Sequence, residues 1–281
     1  MSRQTVSGSL LHAGVDWLTC TQEPGARAEM MKGLARYTIE REAQAGQIIR
    51  DWQWRGYTGE ASPQLTWGER SDGIVVKLVG ATAQLLWRRF ARMAKGFPRI
   101  DLQATVLLTP ADFSLGAMHR LEAINRPPTR GKPPTISWIE THGGGFTLYL
   151  GRRASDVLAR VYDKSAQDSD GPHPNGTWRY EMEYKRERAR AVVRRLLAQP
   201  EGAQPVLAIL HHDFTSRGLT VTFPSVHSDP VPLPPRYTDE ETRLRWLADA
   251  VRPTVQWLRS RGRGQEVRRI LGLPVDFREE D

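Results

Sequence analysis

Three segments of the chain alternate apolar and polar residues with a period of two, over residues 99–106, 157–164 and 178–185. Such a period predicts strands with one apolar and one polar face. If the three pair in one antiparallel sheet, their apolar faces bury together and their polar faces form one charged surface. The apolar positions of the first segment are Ile100, Leu102, Ala104 and Val106. The pattern therefore predicts an α+β fold with a central antiparallel sheet and flanking helices.

Other segments repeat apolar residues every three to four positions, which predicts helices over about 25–45, 81–95 and 185–198. In the second helix Phe90 is expected to point inward and Arg88 outward. His211, His212 and Asp213 are expected to form a turn before a strand, because adjacent histidines on a strand point to opposite faces and would not share a metal ion.

Glycines and polar turns divide several short apolar segments, which predicts hairpins within residues 48–78 and between 136–140 and 146–150. Four aromatic residues of the first hairpin region could stack on bases of a single strand. Packing in the core is the favoured interpretation of their presence. These residues are Trp52, Trp54, Tyr57 and Trp67.

Proline content divides the chain into three parts. Residues 1–224 are expected to form one domain, residues 225–236 a Pro-rich linker, and residues 237–281 a short, basic helical segment.

Lysine and arginine outnumber the acidic residues by 40 to 32, which gives a net charge of +8 and indicates a polyanionic partner. The single cysteine, Cys20, excludes an internal disulfide and a cysteine-cluster metal site. The sequence shows neither a signal peptide nor an apolar run of the length that a membrane span needs. We therefore expect a cytoplasmic protein with no membrane partner.

The polar surface of the three strands carries candidate catalytic groups. With a period of two, Arg160, Tyr162 and Lys164 share a face, which places a possible nucleophile between two phosphate-binding cations. The same surface is expected to collect the oxygen ligands Asp101, Gln103 and Glu181. A solvated polar face is the alternative explanation for any one of these strands.

Five motifs in order resemble the replication initiation factor family, the rolling-circle initiators of plasmids and filamentous phages. The resemblance implies a nicking-endonuclease core of the HUH type, in which a tyrosine nicks one DNA strand and stays attached to its 5′ phosphate. It also implies that Tyr162 is the nucleophile and that Asp101 and Glu181 bind metal. Many plasmid members carry a second aspartate where this chain has Thr105, so Gln103 is the candidate third ligand. The motifs are Gly14–Thr19, Arg99–Leu102, Tyr149–Ser155, Arg160–Lys164 and Trp178–Glu183.

The chemistry of a tyrosine nucleophile is consistent with this assignment. A phenol with a pKa of about 10 is scarcely ionised at neutral pH and needs assistance to attack phosphorus. Mg²⁺ or Mn²⁺ bound by oxygen ligands supplies that assistance, and Arg160 and Lys164 are expected to hold the phosphate and lower the pKa of the phenol.

Further cations are candidate DNA contacts. A basic, proline-rich loop contains three of them, and two lie on the exposed face expected for the helix over 185–198. The loop lacks the spacing of a phosphate-binding motif, so no nucleotide is expected and a host helicase is the expected partner, together with origin DNA and a possible second copy of the chain. The predicted DNA-binding residues are Arg126, Arg130, Lys132, Arg152, Arg153, Arg179, Arg190 and Arg194.

Three alternative functions are compatible with the same residues. A relaxase of a mobile element would use the same chemistry. A metal phosphodiesterase with a water nucleophile would cleave DNA without becoming attached to it. A non-catalytic DNA-binding protein would use the polar face to contact phosphates and would form no adduct.

Overall fold

A computed structural model describes residues 7–109, 135–140, 145–166, 173–219, 223, 244 and 252–270. The chain divides into two compact units, residues 1–233 and residues 234–281.

The first unit contains a ten-stranded antiparallel sheet in the order β2-β3-β4-β5-β1-β6-β10-β9-β8-β7. The α+β fold and the pairing of the three alternating segments are confirmed, because these segments are the adjacent strands β6, β10 and β9. The strands are β1 Ser7–Gln22, β2 Arg50–Trp54, β3 Tyr57–Ala61, β4 Leu65–Arg70, β5 Gly73–Val79, β6 Gly96–Thr109, β7 Ile136–Glu140, β8 Phe146–Leu150, β9 Val157–Asp163 and β10 Thr177–Lys185.

Four helices of this unit pack on the sheet, and their apolar residues join the apolar strand face in one continuous core. Leu102, Met182 and Val161, on the three central strands, are completely buried in that core. The period of two therefore places the intervening polar residues on the opposite face. The helices are α1 Ala26–Gln44, α2 Gly80–Met93, α3 Arg186–Leu197 and α4 Ala203–Ser216.

Two local predictions are wrong. Arg88 is buried, because its guanidinium reaches the end of α3 and donates to the carbonyl oxygens of Leu196 at 2.8 Å, Gln199 at 2.9 Å and Pro200 at 3.1 Å. Residues 211–213 lie within α4 and do not form a turn. The carboxylate of Asp213 accepts a hydrogen bond from the Tyr184 hydroxyl at 2.8 Å, which joins α4 to β10.

The second unit contains two short helices, α5 Arg252–Ser260 and α6 Gly264–Ile270. The predicted linker, residues 225–236, lies outside the described residues. In the part of the chain that the structure describes, no helix is long and apolar enough to cross a bilayer.

Candidate active site

The polar residues of β6, β10 and β9 meet on the face opposite the helices. The strand register places Glu181 beside both Gln103 and Arg160, and it places Arg179 beside both Thr105 and Tyr162. These side chains come from strands far apart in the sequence, and the sheet brings them together because β10 lies between β6 and β9.

A network of ion pairs occupies one end of this surface. Arg99 binds both carboxylate oxygens of Asp101, at 2.8 and 2.5 Å, and also approaches Glu183 at 3.0 Å. The Arg160 guanidinium bonds Oε1 of Glu181 and lies 3.4 Å from Asp101 Oδ2. The two arginines therefore pair with three carboxylates, those of Asp101, Glu181 and Glu183, that are almost completely removed from solvent.

Tyr162 lies beside this network, and its hydroxyl donates to Oε2 of Glu181 over 3.4 Å. Burial raises the pKa of the phenol well above its ordinary value, and the Glu181 carboxylate adds to the increase. Arg179 opposes both effects, since its guanidinium lies close to the hydroxyl. A phenolate therefore forms here only when further positive charge approaches the oxygen.

The expectation that Arg160 and Lys164 lower the pKa of the phenol is wrong for this structure. Arg160 is directed to the carboxylates, and Arg179 is the cation that lowers the pKa of Tyr162. Lys164 follows the end of β9 and is 2% exposed, so the structure buries the side chain that was expected to contact DNA.

Asp16 joins the site through an irregularity in β1. The register of β1 against β6 shifts between Val15 and Trp17, and this bulge directs Asp16 toward the polar face. Oδ1 of Asp16 accepts a hydrogen bond of 2.9 Å from the amide nitrogen of Gln103. The amide oxygen of Gln103 is buried and has no hydrogen-bond partner among the residues that the structure describes.

The pKa of the Glu181 carboxyl group lies well above its ordinary value. The pKa of Glu181 is raised to about 7, mainly by burial; the carboxylates of Asp101 and Asp16 contribute to the increase, and Arg160 opposes it. Burial also raises the pKa of Asp101, although Arg99 opposes this effect. Titratable groups with pKa values displaced in this way are frequent in active sites.

The predicted metal ligands lie on one surface, but arginines occupy two of them. Among the described residues, the structure brings no three His, Cys, Asp or Glu side chains into a group that could hold a metal ion. The oxygen donors nevertheless fit a hard divalent cation in kind, because Gln103, between Asp16 and Glu181, offers a buried oxygen that no other described residue pairs with.

The predicted DNA-binding residues fall into three groups. Arg179 lies at Tyr162, and the exposed Arg152 and Arg153 precede β9. Arg190 and Arg194 are on α3, which packs on the helix-covered face of the sheet, so they lie on the other side from Tyr162. Arg126, Arg130 and Lys132 lie outside the described residues.

Sequence reasoning identified Tyr162, Glu181, Asp101 and Gln103 as parts of one surface, but it assigned no role to two other acids. Asp16 belongs to the motif Gly14–Thr19, and its place in that motif was a signal that could have found it. Glu183 lies two positions after Glu181, so the alternating pattern of residues 178–185 places both carboxylates on the same strand face. Its carboxylate contacts Arg99 at 3.0 Å and Lys185 at 2.6 Å.

The fold and the site together define an α+β protein whose antiparallel sheet carries a buried tyrosine among carboxylates and arginines. Residues 122–220 match the model of the replication initiation factor family, which confirms the resemblance that the motifs carry. That match includes Tyr162 and Glu181, but it begins after Asp16 and Asp101.

The structure also resembles that of a rolling circle replication initiator protein from Geobacillus stearothermophilus. The two share 20% sequence identity with a TM-score of 0.52, and the alignment covers 84% of this chain and 95% of that protein. This likeness confirms the fold. A search of curated protein sequences finds no significant match.

Proposed function

We propose that this protein initiates rolling-circle replication by nicking one strand of origin DNA. The domain match and the shared fold support this class of function. The observation that carries the chemistry is the hydrogen bond from the Tyr162 hydroxyl to Glu181, because it places a nucleophile beside a proton acceptor.

In the proposed reaction the phenolic oxygen of Tyr162 attacks the scissile phosphorus. A Tyr162–phosphorus bond forms, the bond to the 3′ oxygen breaks, and the departing strand end takes up a proton as a 3′ hydroxyl. Glu181 accepts the phenolic proton, and Arg179 offsets negative charge at the attacking oxygen. Since the phosphotyrosine bond conserves the energy of the broken phosphodiester, a later 3′ hydroxyl can reverse the reaction and religate the strand.

We further propose Mg²⁺ or Mn²⁺ as the cofactor. Glu181, Gln103 and Asp101 are the predicted ligands, and the position of Asp16 against Gln103 adds a fourth candidate oxygen donor. A bound divalent cation would polarise a phosphate oxygen and supply the positive charge that a buried phenol lacks. Arg160, which holds Glu181 and approaches Asp101, is then the residue with which the cation would compete for these carboxylates. A phosphate of the DNA would in turn compete with the carboxylates for Arg160.

The protein would act in a bacterial cytoplasm, with origin DNA as its substrate. Because the sequence shows no nucleotide-binding motif, a separate host helicase would have to unwind the duplex. A second copy of the chain is the other proposed partner, and its role would be to occupy a second origin half-site.

The test is detection of a covalent protein–DNA complex on a denaturing gel. Single-stranded oligonucleotides that tile the DNA around the gene are incubated with protein and either Mn²⁺ or EDTA. Tyr162→Phe is compared with Tyr149→Phe, which is a matched control because Tyr149 lies opposite Arg160 on the same sheet face. We expect an adduct with the wild type and the control, and none with Tyr162→Phe or in EDTA.

Each other result contradicts a defined part of the proposal. An adduct that survives Tyr162→Phe would show that another tyrosine is the nucleophile. Cleavage without an adduct would indicate a water nucleophile. Binding without cleavage across all oligonucleotides would indicate a non-catalytic DNA-binding protein.

A further inference from the structure

A second group of aromatic and basic side chains lies at the opposite end of the sheet from Tyr162. Trp52 and Trp54 on β2 and Tyr57 on β3 are neighbours, with ring centroids 6.2 Å apart for the two tryptophans and 6.5 Å apart for Trp54 and Tyr57. Arginine side chains cover two of these rings: Arg55 lies 4.7 Å from the ring centroid of Trp54, and Arg70 lies 4.4 Å from that of Tyr57. We call these five residues the aromatic–arginine cluster.

The cluster and the candidate active site share one face of the sheet. The strand register links Trp52 to Gly59, Gly59 to Gly68 and Gly68 to Val75, all with side-chain positions on the face opposite the helices. Trp67, one residue away from Gly68, points to the other face and is buried in the core beneath α1, where Lys32 lies 5.7 Å from its ring. The four aromatic residues of this region therefore divide between core and surface.

Glycine makes room for the cluster. A Cβ atom at Gly68 would lie 2.6 Å from Trp52 Cζ3 and 3.2 Å from Tyr57 Cβ, so the ring of Trp52 lies directly on the backbone of β4, with the Tyr57 side chain beside it. Trp54 remains 48% exposed, which is unusual for the largest apolar side chain on a strand. The arrangement supports the ring of Trp54 from the protein side and leaves much of it open to solvent.

The turn between β2 and β3 carries an arginine that the backbone does not favour. Arg55 and Gly56 have φ angles of +48° and +81°, which identifies a tight hairpin turn whose two central residues are both left-handed. Asn or Gly would adopt this conformation with less strain. The backbone is nevertheless anchored in this form, because Arg70 donates to the carbonyl oxygen of Arg55 at 2.9 Å and pairs with Asp72 at 2.5 Å.

A second cation–aromatic contact lies between the cluster and the active site. The ring of Trp17 on β1 lies 4.8 Å from the Lys77 ammonium and 4.2 Å from the Arg99 guanidinium, and Arg99 itself binds Asp101. Seven strand steps separate β2 from β9, a distance of roughly 33 Å across the sheet. Aromatic rings and cations therefore recur along this sheet face between β2 and β9, the strand that carries Tyr162.

From this placement we infer that the aromatic–arginine cluster binds the bases of single-stranded DNA, in a strand that crosses the sheet face to Tyr162. This binding site rests on the proposed function and would be a second point of contact with the DNA strand, distant from the cleavage site. Aromatic rings stack on any base, and guanidinium groups stack on rings and attract phosphates, so the combination suits a single strand without sequence preference.

A protein partner would use this region differently. A peptide that extended the sheet would pair with the backbone of β2 at its free edge and would not require the ring face of Trp54. Loss of the Trp54 side chain therefore distinguishes a base-binding surface from an edge-binding one.

The test measures binding of a fluorescent mixed-sequence single-stranded oligonucleotide to the full chain by anisotropy, in a Tyr162→Phe background that removes covalent attachment. Trp54→Ala is expected to weaken binding roughly tenfold, the effect of removing one stacked base. Arg55→Asn is expected to weaken binding as well while the hairpin stays as stable, because Asn tolerates the left-handed turn. Trp138→Ala is the matched control, since Trp138 is an exposed tryptophan, 43% accessible, on the strand at the other edge.

An oligonucleotide of the same length with abasic sites separates base stacking from charge. The inference requires that Trp54→Ala has no effect on the affinity for this abasic strand. Unchanged affinity of Trp54→Ala for the normal strand, or an equal loss on both strands, would overturn it. Adduct formation is measured separately with Tyr162 restored and oligonucleotide in excess, so a failure of the nicking chemistry and a failure of this binding surface give different results.

Discussion

The hydroxyl of Tyr162 donates to Oε2 of Glu181 over 3.4 Å, while Arg160 bonds the other oxygen of the same carboxylate. Glu181 thus links the proposed nucleophile to the network of ion pairs. Its oxygens are divided between a proton donor and a cation, and both its protonation state and its orientation affect the tyrosine.

Glu181 is expected to make folding stability depend on pH in the absence of metal. Burial raises the pKa of Glu181 from 4.5 to about 7, so between these values the folded protein holds a proton that the unfolded chain has released. Stability contributed by this group is therefore lost as pH rises from about 4.5 to about 7, by roughly 3 kcal/mol in total. Glu181→Gln removes the titration and should flatten the dependence.

Urea unfolding in EDTA at about pH 5 and about pH 8 measures this difference. Glu40→Gln, an exposed position on α1, is the control and should keep the wild-type dependence. An identical slope in Glu181→Gln would show that another group accounts for it.

Asp16→Asn is expected to reduce adduct formation without unfolding the protein. The asparagine oxygen can still accept the hydrogen bond from Gln103, but the negative charge is lost. If Asp16 supports the cation, the rate falls by roughly 10–100-fold and the Mn²⁺ concentration needed for half-maximal rate increases. The measurement is the adduct rate across a Mn²⁺ titration, with the exposed Asp51→Asn as control; an unchanged Mn²⁺ requirement would remove Asp16 from the proposed site.

Arg88→Ala is expected to destabilise the first unit. The guanidinium donates to three carbonyl oxygens at and beyond the end of α3, and its removal leaves the buried carbonyl oxygen of Leu196 without this charged donor. The expected loss is about 2 kcal/mol in the free energy of unfolding. Chemical denaturation provides the value, and Arg89→Ala, at the exposed neighbouring position, should stay close to the wild type.

Tyr184→Phe tests the connection between β10 and α4. The hydroxyl is buried and donates to Asp213 at 2.8 Å, so the substitution leaves a buried carboxylate with one donor fewer. We expect a loss of about 1–3 kcal/mol in the free energy of unfolding. Asp213→Asn keeps an acceptor oxygen for the tyrosine and should cost less, and the opposite order would show that the hydrogen bond is not the main contribution.

The sequence predicted the central sheet well because alternation is a local signal. The alternating apolar residues Ile100, Leu102, Ala104 and Val106 of β6 lie in the core, and their polar neighbours Asp101 and Gln103 belong to the candidate site. A bulge in β1 limits the same reasoning. Strict alternation would place Asp16 on the same face as Leu18, which is buried in the core. Only the three-dimensional register shows that the strand changes phase between Val15 and Trp17.

Helix contacts were harder to predict. Periodicity located α2, but it gives no information on which long side chain reaches another element, and the guanidinium of Arg88 satisfies the end of a helix more than 100 residues later. The histidine pair at 211–212 suggested a turn, whereas the preceding apolar run from Val206 to Leu210 was the better signal for the helix that forms.

The charges between β6 and β10 also protect the alignment of the two strands. A slip of one residue along β10 would turn Glu181, Glu183 and Arg179 into the apolar core and expose Met182. Burying those charges without partners would cost far more than any alternative pairing could recover. Glu181 and Arg179, which are proposed to take part in cutting DNA, therefore also disfavour a shifted register of β10. The same side chains that form the active site help to select the strand pairing on which it depends.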